Sequence, residues 1–192
     1  NVLKTVIEDL IDFERIRASR TVKLFIAATN VRTGKIAVFE NEVLTADHLM
    51  ASACLPTIFQ TVEIDGVPYW DGGYSGNPPL FPLFHETASD DIMLVQINPT
   101  ERAETPHSAN EIRDRLAEIN FNAPLLRELR MVEFIGRLID EGKLSRTEYK
   151  RVLMHRIDAD EALNDMPGET RANTDWSFFR ELRDHGRAAA FD

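Results

Sequence analysis

The sequence predicts an α/β fold with a parallel component, continued by a helical stretch. Three observations carry this. Residues 22–28 (VKLFIAA) and 92–97 (IMLVQI) are short apolar runs, the pattern of strands buried on both faces. Helical periodicity stands before and between them, and strands alternating with helices give an α/β sheet. Beyond residue 108 the apolar positions recur at helical spacing.

Taken in order, residues 2–17 carry Leu3, Val6, Ile7, Leu10, Ile11 and Phe13, the rhythm of one amphipathic helix. The first apolar run follows. Thr33-Gly34 is a turn signal, and residues 35–39 (KIAVF) alternate like a second strand. Thr45 is placed to N-cap a helix over residues 46–53. Asp65-Gly66, inside residues 64–69, is the strongest hairpin signal in the chain. The second apolar run comes next. Residues 98–108, with Pro99 and Pro106, read as a linker, so the predicted domains are 1–104 and 105–192.

Ile112, Leu116 and Ile119 share a helix face. The pattern is expected to break at Pro124, resume through Leu125, Leu129, Val132 and Ile139, and end at Gly142. Ser145, with Glu148 at capping-box spacing, predicts another helix. Residues 157–173 read as polar and irregular, and Trp176, Phe179 and Leu182 begin a last helix. Two firm buried strands fall short of the five or so that a covered sheet uses. The chain also starts at Asn1 and ends at Phe191-Asp192 within a helical pattern. The expectation is a piece of a longer chain, with partner strands upstream.

At 192 residues the chain can bury a core without staples. Cys54 is the single cysteine, so an intrachain disulfide and a zinc ribbon are excluded. Acidic residues outnumber basic ones 32 to 22, giving a net charge of −10. That balance opposes a polyanion partner, so no nucleic acid is expected. No apolar run approaches the roughly 18 residues of a membrane span, and no secretory signal opens the chain. Nucleotide-binding glycine loops and the H-E-x-x-H zinc motif are absent. The five histidines are scattered, and residues 158–169 have Leu163 where a calcium loop requires glycine. No cofactor and no metal are therefore expected. No G-x-S-x-G elbow occurs. Ser75, in Gly73-Tyr74-Ser75-Gly76, has the wrong spacing and reads as a loop residue.

One segment stands out, residues 70–79 (WDGGYSGNPP). Its structural reading is a turn: Asp accepts backbone N–H groups and Gly supplies freedom. Its functional reading is an accessible carboxylate. Asp71 follows a strand and precedes a helix expected to open at Pro78-Pro79. Glycines beside it admit a second backbone and leave the acid reachable.

Residues 49–79, with Ala51, Ser52, Pro56 and Phe59 in one block and Asp71, Gly72, Gly73, Asn77 and Pro79 in the next, resemble the patatin-like phospholipases. The likeness covers roughly residues 1–100. Residues 105–192 more faintly resemble a helical extension of unknown function found after that domain in some bacterial members. The resemblance implies the C-terminal portion of a three-layer α/β/α patatin-like (FabD/lysophospholipase-like) sandwich plus an α-helical extension. It implies a lipid acyl hydrolase with a Ser–Asp dyad and no histidine, Asp71 being the catalytic aspartate. Gly72, Gly73 and Asn77 would shape the active-site loop, with Asn77 fastening it through backbone hydrogen bonds.

The family's serine elbow and oxyanion loop precede these blocks, so they would lie before Asn1, and the piece alone is expected to be inactive. The implied partners are a lipid or acyl-ester substrate, the N-terminal half of the same protein, and a membrane met transiently. No cofactor is implied, and the expected location is the cytoplasm. The chemistry suits the residue, because a carboxylate can accept a serine proton and return it to the leaving alcohol. The alternative reading is non-catalytic: residues 105–192 cap the lipid site or dock a protein partner.

Overall fold

The computed structural model describes residues 2–158, 166, 170 and 173–191. The readings of residues 157–173 as irregular and of 158–169 as a rejected calcium loop fall largely outside them. Helices and strands mix as expected for an α/β fold with a helical extension. Packing divides the chain into two compact units, Asn1–Pro82 and Leu83–Asp192. The domain limit expected at 104/105 lies within the second.

In the first unit the single helix expected over residues 2–17 is two, α1 (Val2–Leu10) and α2 (Phe13–Ala18). Asp12 divides them: its side chain accepts the Arg15 N–H at 2.9 Å and starts a new helix. Strand β1 (Phe25–Asn30) begins three residues later than predicted. The lead-in is held instead by Asn41, a buried side chain the sequence reading missed. Its Oδ1 accepts from Leu24 N–H at 2.7 Å, and its Nδ2 donates to the carbonyls of Ile16 and Val22.

Strand β2 (Ile36–Glu40) pairs antiparallel with β1. Helix α3 (Ala46–Ser52) follows Thr45 as expected. Strands β3 (Val62–Ile64) and β4 (Val67–Asp71) form the predicted hairpin. Asp65 and Gly66 both have positive φ, 50° and 75°, as a two-residue type I′ turn requires. The sheet order is β2-β1-β4-β3, and every pairing is antiparallel. Strand β1 is buried on both faces only toward its end, where the consecutive residues Ala28 and Thr29 point to opposite sides, and its other positions are half-buried. Helix α3 packs on β1, β3 and β4, and the core they enclose centres on Ala28, Ala51 and Tyr69.

The second unit contains the parallel component. Strand β5 (Asp91–Gln96) pairs in parallel with β6 (Leu153–Asp158), from Asp91↔Leu153 to Gln96↔Asp158. Sequence reading missed β6, whose LMHRID has little strand character. The expectation that β5 is buried on both faces is corrected. Ile92, Leu94 and Gln96 are buried, whereas Met93 and Val95 are exposed. Ahead of β5 lies the short helix α4 (Phe81–Glu86), which starts two residues beyond Pro79.

Helix α5 (Ala109–Asp140) starts at a capping box made by Ser108 and Glu111. It runs unbroken through Pro124, against expectation. Pro124 costs one hydrogen bond, but buried contacts on both sides hold the turn. Asn122 Nδ2 donates to the Pro99 carbonyl at 2.8 Å, and Leu125 is 3% exposed. One turn earlier, the buried Glu118 accepts a two-pronged bond from Arg102 and a third from Arg115. Burial opposes ionisation of Glu118, yet the two guanidiniums outweigh it and hold its carboxyl below the usual range. Gly142, at φ 72°, ends α5 as predicted. Lys143 N–H reaches back to the Leu138 carbonyl and Gly142 N–H to that of Ile139, the Schellman pattern. The helix expected after Ser145 is a turn closed by Ser145 Oγ accepting from Thr147 N–H. The chain ends in α6 (Trp176–Phe191).

Candidate active-site loop

Asp71 is the last residue of β4 and the N-cap of a 3-10 turn over Gly72–Tyr74. It is tethered at three atoms. Its N–H donates to the Cys54 carbonyl at 2.9 Å. Its carbonyl accepts from Thr29 Oγ1 at 2.8 Å. Its Oδ1 accepts from Gly73 N–H at 2.7 Å. Oδ2 has no hydrogen-bond partner among the described residues, and the side chain is half-buried. The arrangement is a fixed carboxylate with one oxygen committed and one open.

Gly72 and Gly73 are buried in the turn. A Cβ at Gly72 would lie 2.5 Å from the Ala27 carbonyl oxygen. Only glycine allows the turn this close to β1. The Gly72 carbonyl in turn accepts from Ser75 N–H at 3.0 Å and Gly76 N–H at 2.9 Å. These bonds fasten the loop. Asn77 is half-buried and precedes a cis peptide bond to Pro78, and its side chain makes no hydrogen bond among the described residues.

Ser75 Oγ lies 2.8 Å from Thr29 Oγ1. Thr29 has a single hydroxyl proton, already directed at the Asp71 carbonyl, so Ser75 is the donor to Thr29. A serine whose proton is spent this way is structural, in line with its reading as a loop residue. Cys54, whose carbonyl holds Asp71, is buried. Burial pushes its thiol up in pKa, a backbone hydrogen bond from Val62 opposes this, and the Asp71 charge adds to it. A thiol so placed is a packing group.

Sequence reasoning expected Asp71 at a strand end before a glycine turn, and that is its place in the fold. The same reasoning missed Thr29, Cys54 and Ala27, which reach the loop only through the tertiary fold. His48, among the scattered histidines, is a cap: its Nδ1 accepts from Thr45 N–H at 3.1 Å, and its ring packs edge-on against Phe39. Burial lowers its pKa below the usual imidazole value, against the pull of Asp47 and Asp65. No group of three or more potential ligands among the described residues could hold a metal ion. No described helix is long and apolar enough to cross a membrane. An apolar cavity of about 470 Å³ lies in the second unit, between the ends of β5 and β6 and the Phe178–Leu182 side of α6. The Asp71 loop contributes none of its walls.

Residues 2–84 match the family described as patatin-like phospholipase. The match contains the whole Asp71 loop. No curated protein matches the chain.

Proposed function

We propose that the chain is part of a lipid acyl hydrolase in which Asp71 is the general base of a Ser–Asp dyad. The supporting observation is the half-committed carboxylate. Gly73 N–H fixes Oδ1 and so aims Oδ2, the open oxygen, at an incoming hydroxyl. In this reading Oδ2 takes the proton as the serine oxygen attacks the ester carbonyl. The proton then passes to the departing alcohol, leaving an acyl-serine. Water, deprotonated by the same oxygen, then attacks the acyl carbonyl; the acyl–serine bond breaks, and the proton passes from Oδ2 to the serine oxygen as the fatty acid leaves. Gly73 N–H is spent on Oδ1, so it is not an oxyanion donor. Those donors and the serine come, in this proposal, from polypeptide outside these 192 residues, and the chain alone is inactive.

Residues 1–104 would be the patatin-like part and 105–192 its helical extension. The substrate is an acyl ester of a lipid. With a net charge of −10, lipid is met through apolar contact during transient membrane association, from a cytoplasmic location. The test is Asp71→Asn in the full-length protein. Asn retains the acceptor for Gly73 N–H, so the loop survives. Loss of the base lowers kcat about 10²- to 10⁴-fold. Near-normal turnover of a p-nitrophenyl acyl ester would overturn the proposal.

A further inference from the structure

We propose that Thr29 is a positioning residue for Asp71, the centre of a hydroxyl chain running from Ser75 through Thr29 to the Asp71 carbonyl. The inference rests on Asp71 being the base. Thr29 is 5% exposed and follows Ala28, the β1 residue that pairs with Asp71. Its hydroxyl therefore reaches diagonally to the carbonyl of Asp71, at 2.8 Å. That carbonyl belongs to the peptide plane joining Asp71 to Gly72. Holding the plane sets the Asp71 ψ, 135°, and with it the place of Gly73 N–H relative to Oδ1.

The donor directions leave one arrangement. Thr29 gives its proton to a carbonyl, so its oxygen receives the proton of Ser75, 2.8 Å away. Ser75 N–H is itself anchored on the Gly72 carbonyl. The chain thus closes over the turn and ties both its ends to one buried threonine. Removing the Thr29 hydroxyl frees the peptide plane, shifts the Gly73 tether, and lets the carboxylate leave the geometry that aims Oδ2. Substrate contacts are untouched, so the loss falls on turnover and not on binding.

The test uses the full-length protein. Thr29→Val keeps the shape and removes the donor; Thr29→Ser keeps the hydroxyl. Both are assayed for kcat and KM on a soluble acyl ester, for the rate of fluorophosphonate labelling, and for Tm. Thr29→Val is expected to lower kcat and the labelling rate about tenfold, with KM within about twofold, as loss of one buried hydrogen bond implies. Thr29→Ser recovers most of that loss. Ser75→Ala, which removes only the outer donor, gives a smaller fall of the same kind and serves if Thr29→Val does not fold. Wild-type kcat in Thr29→Val, equal losses in the Val and Ser variants, or, where Thr29→Val does not fold, unchanged kcat in Ser75→Ala would overturn the inference. Asp71→Asn is run in parallel. If it stays active, the base assignment fails; if it is dead while Thr29→Val turns over normally, only the positioning role fails.

Discussion

Replacing Gly72 by alanine tests whether the Asp71 loop is fixed by its approach to β1. The new Cβ would stand 2.5 Å from the Ala27 oxygen, 2.9 Å from its carbonyl carbon and 3.0 Å from its Cβ. Ordinary contact starts near 3.4 Å, so the turn or the strand must give by close to 1 Å. The obstructing atoms are backbone, and Ala27 is registered against Val38 in β2, so no side-chain rotation relieves the clash. Overpacking of this kind costs about 1–3 kcal/mol. Gly76→Ala is the internal comparison. Its Cβ would also meet an atom at 2.5 Å, but that atom is Ile36 Cδ1, the end of a side chain that can turn away. Its cost should stay under about 1 kcal/mol. The assay is urea unfolding followed by Trp70 fluorescence in a Trp176→Phe background. The expected result is a lower midpoint for Gly72→Ala with the slope unchanged, and a much smaller shift for Gly76→Ala. A wild-type midpoint for Gly72→Ala, or equal shifts in the two variants, would refute the reasoning.

Two further outcomes concern pH and charge. His48 has a lowered pKa in the folded protein, so the unfolded chain binds its proton more readily. Its contribution is complete above about pH 6.5 and is lost as pH falls below that toward the folded value, with a slope of at most about 1.4 kcal/mol per pH unit. Denaturation midpoints from pH 8 to 5 should fall less steeply in His48→Gln than in wild type. Glu118→Ala leaves Arg102 and Arg115 without their shared carboxylate and should cost about 2 kcal/mol, because bonds to charged groups are the stronger ones. Since the Glu118 carboxyl is held low, its contribution is present above about pH 4.5 and disappears as pH falls through the folded value. Thermal melts of the variant and wild type at pH 7 and at pH 3 should show a smaller difference at the second than at the first.

What the sequence showed clearly was local. Asp65-Gly66 specifies its turn by backbone chemistry, and the hairpin follows. Gly142 ends α5 because the Schellman motif needs positive φ there. Asp71, Gly72 and Gly73 could be read as a strand-end acid on a glycine turn. What escaped was set by distant partners. Thr29 and Asp71 are 42 residues apart, and no spacing rule marks that threonine. Leu153–Asp158 became a strand because β5 offered it a parallel edge, overriding its weak propensity. Pro124 stayed inside a helix because Asn122 and Leu125 are anchored around it. Residues 92–97 looked buried throughout because composition registers apolarity, whereas the exposed Met93 and Val95 depend on which face the rest of the unit covers.

The central claim is that Asp71 Oδ2 receives the proton of a nucleophilic serine. The most direct measurement is the crystal structure of the full-length protein with that serine trapped as a phosphonate adduct. Oδ2 is expected within about 2.6–3.2 Å of the serine oxygen or of the adduct's leaving-group position, with Oδ1 still bound by Gly73 N–H. A labelled serine whose nearest proton acceptor is a histidine or another carboxylate, with Oδ2 turned away, would contradict it.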